Sequence, residues 1–221
     1  MQVIPYVNCL SGLEFILKEP AFTATREKEG YHSVICPSNC DSASVVAKYI
    51  LRILNIFPEC HEVHIGGSLS PIDLDILFSC PYCKIMLHEM NKDAIIYHYL
   101  SKIIHKITKE HPGLEIIVDD TQYIKCFQLL PKFVIRCVKD PIEKDALGCN
   151  KIYKSVCLNK FTSCFMDPTA ILSDISGAIK EASSYRMQGI ILFCPSKMNS
   201  NYTLNVIPST AMFPLLSICT I

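Results

Sequence analysis

Apolar residues in this chain recur in two rhythms. From Ser42 to Phe57 they fall at Val45, Val46, Tyr49, Ile50, Ile53, Leu54 and Phe57, the spacing of a helix with one buried stripe. Asp41 or Ser42 is placed to cap that helix and Pro58 to stop it. The same rhythm returns from Asp93 to Lys109, at Ile95, Ile96, Tyr99, Leu100, Ile103, Ile104 and Ile107, and His111-Pro112-Gly113 ends it. A further helix is predicted over Ile171 to Met187. Between the helices lie short, uninterrupted apolar runs: Glu62 to Ile65, Leu114 to Val118 finishing at Asp119-Asp120, Phe133 to Val138, and Gly189 to Phe193. Thr203 to Ile207 is a candidate neighbour of the last. A strand covered on both faces gives such a run, so these read as central strands. Ile76 to Phe78 and Lys84 to Leu87 read as strand edges, and Lys139 to Lys160 as irregular. The first thirty residues close on Arg26-Glu27-Lys28-Glu29-Gly30, which reads as a solvated loop or helix end.

Helices alternating with apolar strands predict an α/β sandwich with a mostly parallel central sheet. A chain of 221 residues with 50% hydrophobic content can bury one large core, so residues 1–221 are read as a single domain. Lys+Arg and Asp+Glu are both 21, which argues against a broadly basic nucleic-acid surface. The 13 cysteines are odd in number, and Met1 to Leu10 lacks a basic segment followed by an apolar run. Both facts predict a reducing cytoplasm rather than a disulfide framework. The longest apolar stretches, such as Gly189 to Cys194, are too short to span a bilayer.

Three groups of residues carry candidate chemistry. Gly66-Gly67 ends a strand, where glycine lets a ligand approach the main chain; a tight turn after a buried strand is the competing reading. Asp73, Asp75 and Glu89 are the acidic groups that a methyl donor such as S-adenosylmethionine would need nearby. His32 precedes the first helix and offers a ring nitrogen as base, ligand or phosphate-accepting nucleophile, against the alternative of a satisfied structural histidine. Cys80-Pro81-Tyr82-Cys83 has zinc-knuckle spacing, and Cys137, Cys149, Cys157 and Cys164 follow. Free cysteines in a reducing compartment are the competing reading.

In this order, the pieces resemble the methyltransferase-guanylyltransferase capping domain of alphavirus-like positive-strand RNA viruses. The matching elements are His32-Ser33, the helix Ser42 to Phe57, Val63-His64-Ile65-Gly66-Gly67, Cys80-Pro81, Glu89-Met90-Asn91-Lys92 and the helix with Tyr97 and Tyr99. Cys149 and Cys157, Asp167, and the run Ile175 to Pro195 complete them, so the capping-like core spans about residues 30–205. The resemblance implies a Rossmann-like methyltransferase-type sandwich. It implies viral mRNA cap synthesis, in which GTP is methylated at N7 with S-adenosylmethionine and the nucleotide is passed through a covalent histidine intermediate to the 5′ end of viral RNA. His32 would be the nucleophile, and His64, Gly66, Gly67, Glu89 and Lys92 the cofactor site. Cys80, Cys149 and Cys157 would hold a structural zinc, with Cys83 or His88 as its fourth ligand. The implied partners are GTP, viral RNA and other replicase proteins, in the host cytoplasm at membrane-bound replication complexes, with room for an oligomer. His64 and Lys92 stand where the family's pattern has Asp and Arg. That motivates a second reading, a zinc-stabilised α/β replicase module that binds RNA or replication proteins without catalysis. A third reading is an ordinary methyltransferase in which His32 has no special role.

Overall fold

The computed structural model describes residues 2–67, 69–120, 130–131, 133–138, 152–157, 168–185, 187, 189–193 and 215–220. Strand β1 (Gln2–Asn8) leads into a one-turn helix α1 (Glu14–Leu17), a 3-10 turn (Pro20–Thr25) and a two-stranded ribbon of β2 (Arg26–Lys28) and β3 (Tyr31–Ile35). Helix α2 (Ser42–Ile56) and strand β4 (Glu62–Gly66) follow, then α3 (Pro71–Ile76), α4 (Pro81–Glu89) and the long α5 (Lys92–Glu110). The remaining elements are β5 (Glu115–Asp120), β6 (Ile135–Val138), β7 (Ile152–Cys157), α6 (Pro168–Ser184), β8 (Gly189–Phe193) and β9 (Leu215–Thr220). The predicted strand pairing over Thr203 to Ile207 lies outside the described residues.

Seven strands close into a barrel in the order β1-β4-β5-β6-β7-β8-β9. The six from β1 to β8 run parallel. β9 runs antiparallel to both β8 and β1 and seals the ring, with Gln2 opposite Ile218 and Gly189 opposite Thr220. The α/β character and the mostly parallel sheet therefore stand, but the expected Rossmann-like sandwich does not. A closed sheet has no reversal of strand order, and so lacks the crevice in which an open sheet seats its cofactor. Three of the staves were not predicted: β1 and β9 had no assigned structure, and β7 falls within Lys139 to Lys160, read as irregular. Pro5 argues against a strand in Gln2–Asn8, yet Ile4 and Tyr6 are buried in the barrel and override it.

Two apolar layers hold the barrel. Ile4, Tyr6, Ile117, Ile135, Cys137 and Ile191 fill its interior. Val7, Val63, Ile65, Ile116 and Val118 face the other way and join the stripes of α2 and α5 in one large core. Side chains alternate along each strand, so a single apolar run feeds both layers. The α5 stripe is buried at all seven of the positions expected from its spacing. Its Tyr99 hydroxyl donates to the Cys9 carbonyl at 2.6 Å, tying the helix to the end of β1.

The segment between β4 and α5 is helical rather than strand-like. Ile76 closes α3, and Lys84 to Leu87 lie inside α4. Proline in the first turn of each helix and a capping residue before it set this outcome. Ser70 and Asp73 form a reciprocal capping box: the Asp73 amide donates to Ser70 Oγ at 3.2 Å, and the Ser70 amide to Asp73 Oδ2 at 3.0 Å. Burial alone would raise the Asp73 carboxyl, but hydrogen bonds from Ser70 and from the Tyr31 hydroxyl at 2.8 Å hold it below the usual range. A carboxyl depressed in the folded state adds stability above its unfolded value and loses it as pH falls through the folded one. Asp73→Asn is thus expected to cost about 1 kcal/mol at neutral pH. In urea titrations at several pH values, the gap to wild type should narrow below about pH 4. A gap that does not change with pH would rule out the ionic contribution.

Candidate functional site

Among the described residues one polar group gathers side chains from four staves of the barrel. Tyr6 on β1, His64 on β4 and Asp119 on β5 all point inward near the carboxyl ends of their strands, and all three are buried. His64 Nε2 lies 2.7 Å from Asp119 Oδ1, and the Tyr6 hydroxyl donates to Asp119 Oδ2 at 3.2 Å. The Tyr6 and His64 rings meet edge to face, with centroids 4.9 Å apart. Burial, and next the Asp119 charge, pushes the Tyr6 phenol well above its ordinary range, so it stays a donor. An ionised carboxylate only accepts, so Asp119 directs the proton of the imidazole to Nε2. His64 Nδ1 has no hydrogen-bond partner among the described residues. Cys137 on β6 completes the group, its sulfur within 4.8 Å of the His64 and Asp119 atoms. In (β/α) barrels the carboxyl-end face is the one that carries chemistry.

A second polar cluster sits outside the barrel. Cys36 follows β3, Glu27 lies on β2, and Cys80 and Cys83 open α4. The Cys36 sulfur is 3.3 Å from that of Cys80 and 3.6 Å from that of Cys83, and Cys83 Sγ lies 3.3 Å from Glu27 Oε2. All four side chains are buried, with Phe78 packed over the sulfurs. The hydrogen bond between Cys36 and Cys83 divides the two thiols: it pushes Cys36 far up and draws Cys83 down. Burial pushes the Cys80 thiol up to about 11.

The residues singled out in the sequence are dispersed. His32 lies on β3 of the ribbon, half-buried, and no hydrogen bond, ion pair or ring contact joins it to His64, Gly66 or Gly67 among the described residues. Gly66 ends β4, where the Tyr6 ring occupies the space a side chain would need. Gly67 is buried just beyond it. Glu89 is exposed at the end of α4, and Lys92 is exposed at the start of α5 with its Nζ 5.6 Å from the centre of the Phe78 ring. Cys80 and Cys83 do meet, but as the N-cap and third residue of a helix, with the Cys83 amide donating to Cys80 Sγ at 3.2 Å. Cys149 lies outside the described residues, and Cys157 stands on β7 opposite Phe193. Tyr6, Glu27, Cys36 and Asp119 had no assigned role. The usable signals were an acid ending a buried strand at Asp119 and the repeated Cys-Pro at Cys36-Pro37 and Cys80-Pro81.

No protein-family model matches the chain. A stretch of 66 residues is 32% identical to hexosaminidase D of Homo sapiens, covering 30% of this chain and 14% of that protein. Among solved structures, a glycoside hydrolase family 20 (GH20) exo-β-N-acetylglucosaminidase from Vibrio harveyi, in complex with N-acetylglucosamine, superposes with a TM-score of 0.51 at 16% identity. It is matched over 71% of this chain and 26% of its own. The Flavobacterium johnsoniae chitobiase gives a TM-score of 0.53 at 18% identity, over 69% of this chain and 25% of its own. At these identities the structural likeness establishes the fold. The chain spans about a quarter of the matched structures' length and less of hexosaminidase D.

These similarities overturn the capping-enzyme resemblance. They point to glycosidases rather than to a viral methyltransferase-guanylyltransferase or a replicase module, so S-adenosylmethionine, GTP and viral RNA drop out as cofactor and partners. A structural zinc shared by Cys80, Cys83, Cys149 and Cys157 has no support from them either. Among the described residues no helix is long and apolar enough to cross a membrane.

Proposed function

We propose that this protein is a glycosidase of the family 20 type, acting on substrates that end in a β-linked N-acetylglucosamine. The observation that carries the reading is the 66-residue stretch shared with hexosaminidase D. The barrel supports it by supplying the scaffold, and the inward polar group at its carboxyl end by lying where such a scaffold binds substrate. Family 20 belongs to the glycosidases whose substrate assists its own cleavage. The protein's part is then to orient the acetamido group and protonate the leaving oxygen. Asp119, held by Tyr6 and His64, is a positioning residue in this scheme: it fixes the imidazole and aligns the end of β5 with the barrel mouth.

The test is hydrolysis of p-nitrophenyl N-acetyl-β-glucosaminide by the purified chain, with p-nitrophenyl β-glucoside as the comparison. The acetamido substrate should release p-nitrophenol, and the glucoside about 100-fold more slowly or less, because it lacks the assisting group and leaves its partners unpaired. If folded protein releases nothing from the acetamido substrate between about pH 4 and pH 8, the proposal is wrong.

A further inference from the structure

Three sulfurs and a carboxylate meet in one buried place, and the barrel chemistry uses none of them. Their ligand atoms all lie within 4.8 Å of one another. We infer that Glu27, Cys36, Cys80 and Cys83 form a binding site for one thiophilic divalent d-block cation, coordinated by three thiolates and one carboxylate oxygen. This inference does not depend on the glycosidase reading.

Geometry carries the assignment. A tetrahedral ion with metal–sulfur bonds of about 2.3 Å holds its sulfurs about 3.8 Å apart. The sulfur pairs here stand at 3.3 and 3.6 Å, so an ion enters with an outward shift of a few tenths of an ångström. The ligands are oriented by partners of their own, as metal ligands usually are. The Cys80 amide donates to Glu27 Oε1 at 2.7 Å, which leaves Oε2 facing Cys83, and Ser38 Oγ lies 3.1 Å from Cys83 Sγ. The first turn of α4 adds the positive end of a helix beside Cys80 and Cys83, which favours thiolate.

Charge gives a second argument. Among the described residues no Lys or Arg pairs with Glu27, although the residue is 2% exposed. A buried carboxylate beside ionisable thiols is expensive without a positive partner, and a divalent ion supplies it. Three thiolates select for soft and borderline-soft ions, while the carboxylate and the tetrahedral spacing favour a divalent one over a monovalent one. A cavity of about 350 Å³ lined by Glu27, Ser79, Cys80 and Pro81 opens beside the site and gives an ion its way in. The ligands come from two excursions of the chain, one between β1 and α2 and one between β4 and α5. A bound ion would clamp these two excursions together on the carboxyl-end side of the barrel.

Cobalt titration of the reduced, chelator-treated chain tests this. We expect one Co²⁺ per chain, with a near-ultraviolet thiolate-to-cobalt charge-transfer band and the intense visible bands of tetrahedral cobalt. Cys36→Ser and Cys83→Ser should abolish the charge-transfer band, and Glu27→Gln should weaken binding by about 10-fold or more. Cys40→Ser changes an exposed cysteine outside the cluster and should leave both band and affinity as in wild type. Circular dichroism on each variant separates a lost site from a lost fold, and Glu27→Gln keeps the side-chain shape if the cysteine variants do not fold. The inference is overturned if reduced wild type shows no charge-transfer band, if the band persists unchanged in folded Cys36→Ser, or if folded Glu27→Gln binds Co²⁺ as tightly as wild type.

Discussion

Asp119→Ala is expected to destabilise the folded protein by about 3–5 kcal/mol, the range for removing one member of a buried, hydrogen-bonded charged group. The carboxylate accepts from the Tyr6 hydroxyl and pairs with His64 Nε2, and both partners are buried. Removing it takes a buried acceptor away from two buried polar groups, and each loses a hydrogen bond that water does not readily replace there. Asp119→Asn keeps the shape and one acceptor oxygen, so it should cost roughly 1–2 kcal/mol. Urea denaturation of the three proteins measures the series. A loss below about 1 kcal/mol for Asp119→Ala would mean that the group is not structurally coupled as the distances indicate.

Gly66→Ala should be nearly as damaging, for a steric reason. A methyl group at Gly66 would fall inside the van der Waals envelope of Tyr6 Oη, Cζ and Cε2. The backbone of Gly66 is not in the left-handed region, so strain there plays no part. Tyr6 would have to leave its place, giving up the hydrogen bond to Asp119 and the edge-to-face contact with His64. Overpacking of this kind costs about 3 kcal/mol. The cause can be isolated by a double-mutant cycle. With Tyr6→Ala in the background the clash partner is gone, and Gly66→Ala should become close to neutral, a coupling of about 3 kcal/mol. Additive effects of the two substitutions would show that the glycine is needed for something other than the Tyr6 ring.

The local parts of this fold were legible in the sequence. The α5 stripe and the strand Gly189–Phe193 follow directly from spacing, because a helix buried on one side and a strand buried on both leave clear marks. What separates a closed barrel from an open sandwich is not local. Parallel strands with both faces covered read alike in either fold, and the closing contact joins Gln2–Pro5 to Leu215–Ile218. The cofactor-turn reading of Gly66-Gly67 misled for a related reason. Gly66-Gly67 after an apolar strand matches a cofactor turn, but here Gly66 is small because a tyrosine from another stave lies against it. Cys80-Pro81-Tyr82-Cys83 has the spacing of a metal knuckle and equally that of a helix cap whose sulfur accepts an amide, and its neighbours Cys36 and Glu27 come from far earlier in the chain. Glu27 was hidden in a run of charges, and its burial comes from the packing of the ribbon against α4, which no window of sequence contains. The order and types of residues were right for more than one family, and only the long-range contacts decide between them.

The antiparallel β9 also sets a timetable. Its partner β1 is more than two hundred residues earlier in the chain, so their register is among the last contacts that can form. Until β9 is in place, β1 and β8 each present an unpaired backbone edge, a template for the wrong strand or another molecule. A ring sealed by such a distant pairing has high contact order, so assembly should be slow and the half-closed barrel its vulnerable stage.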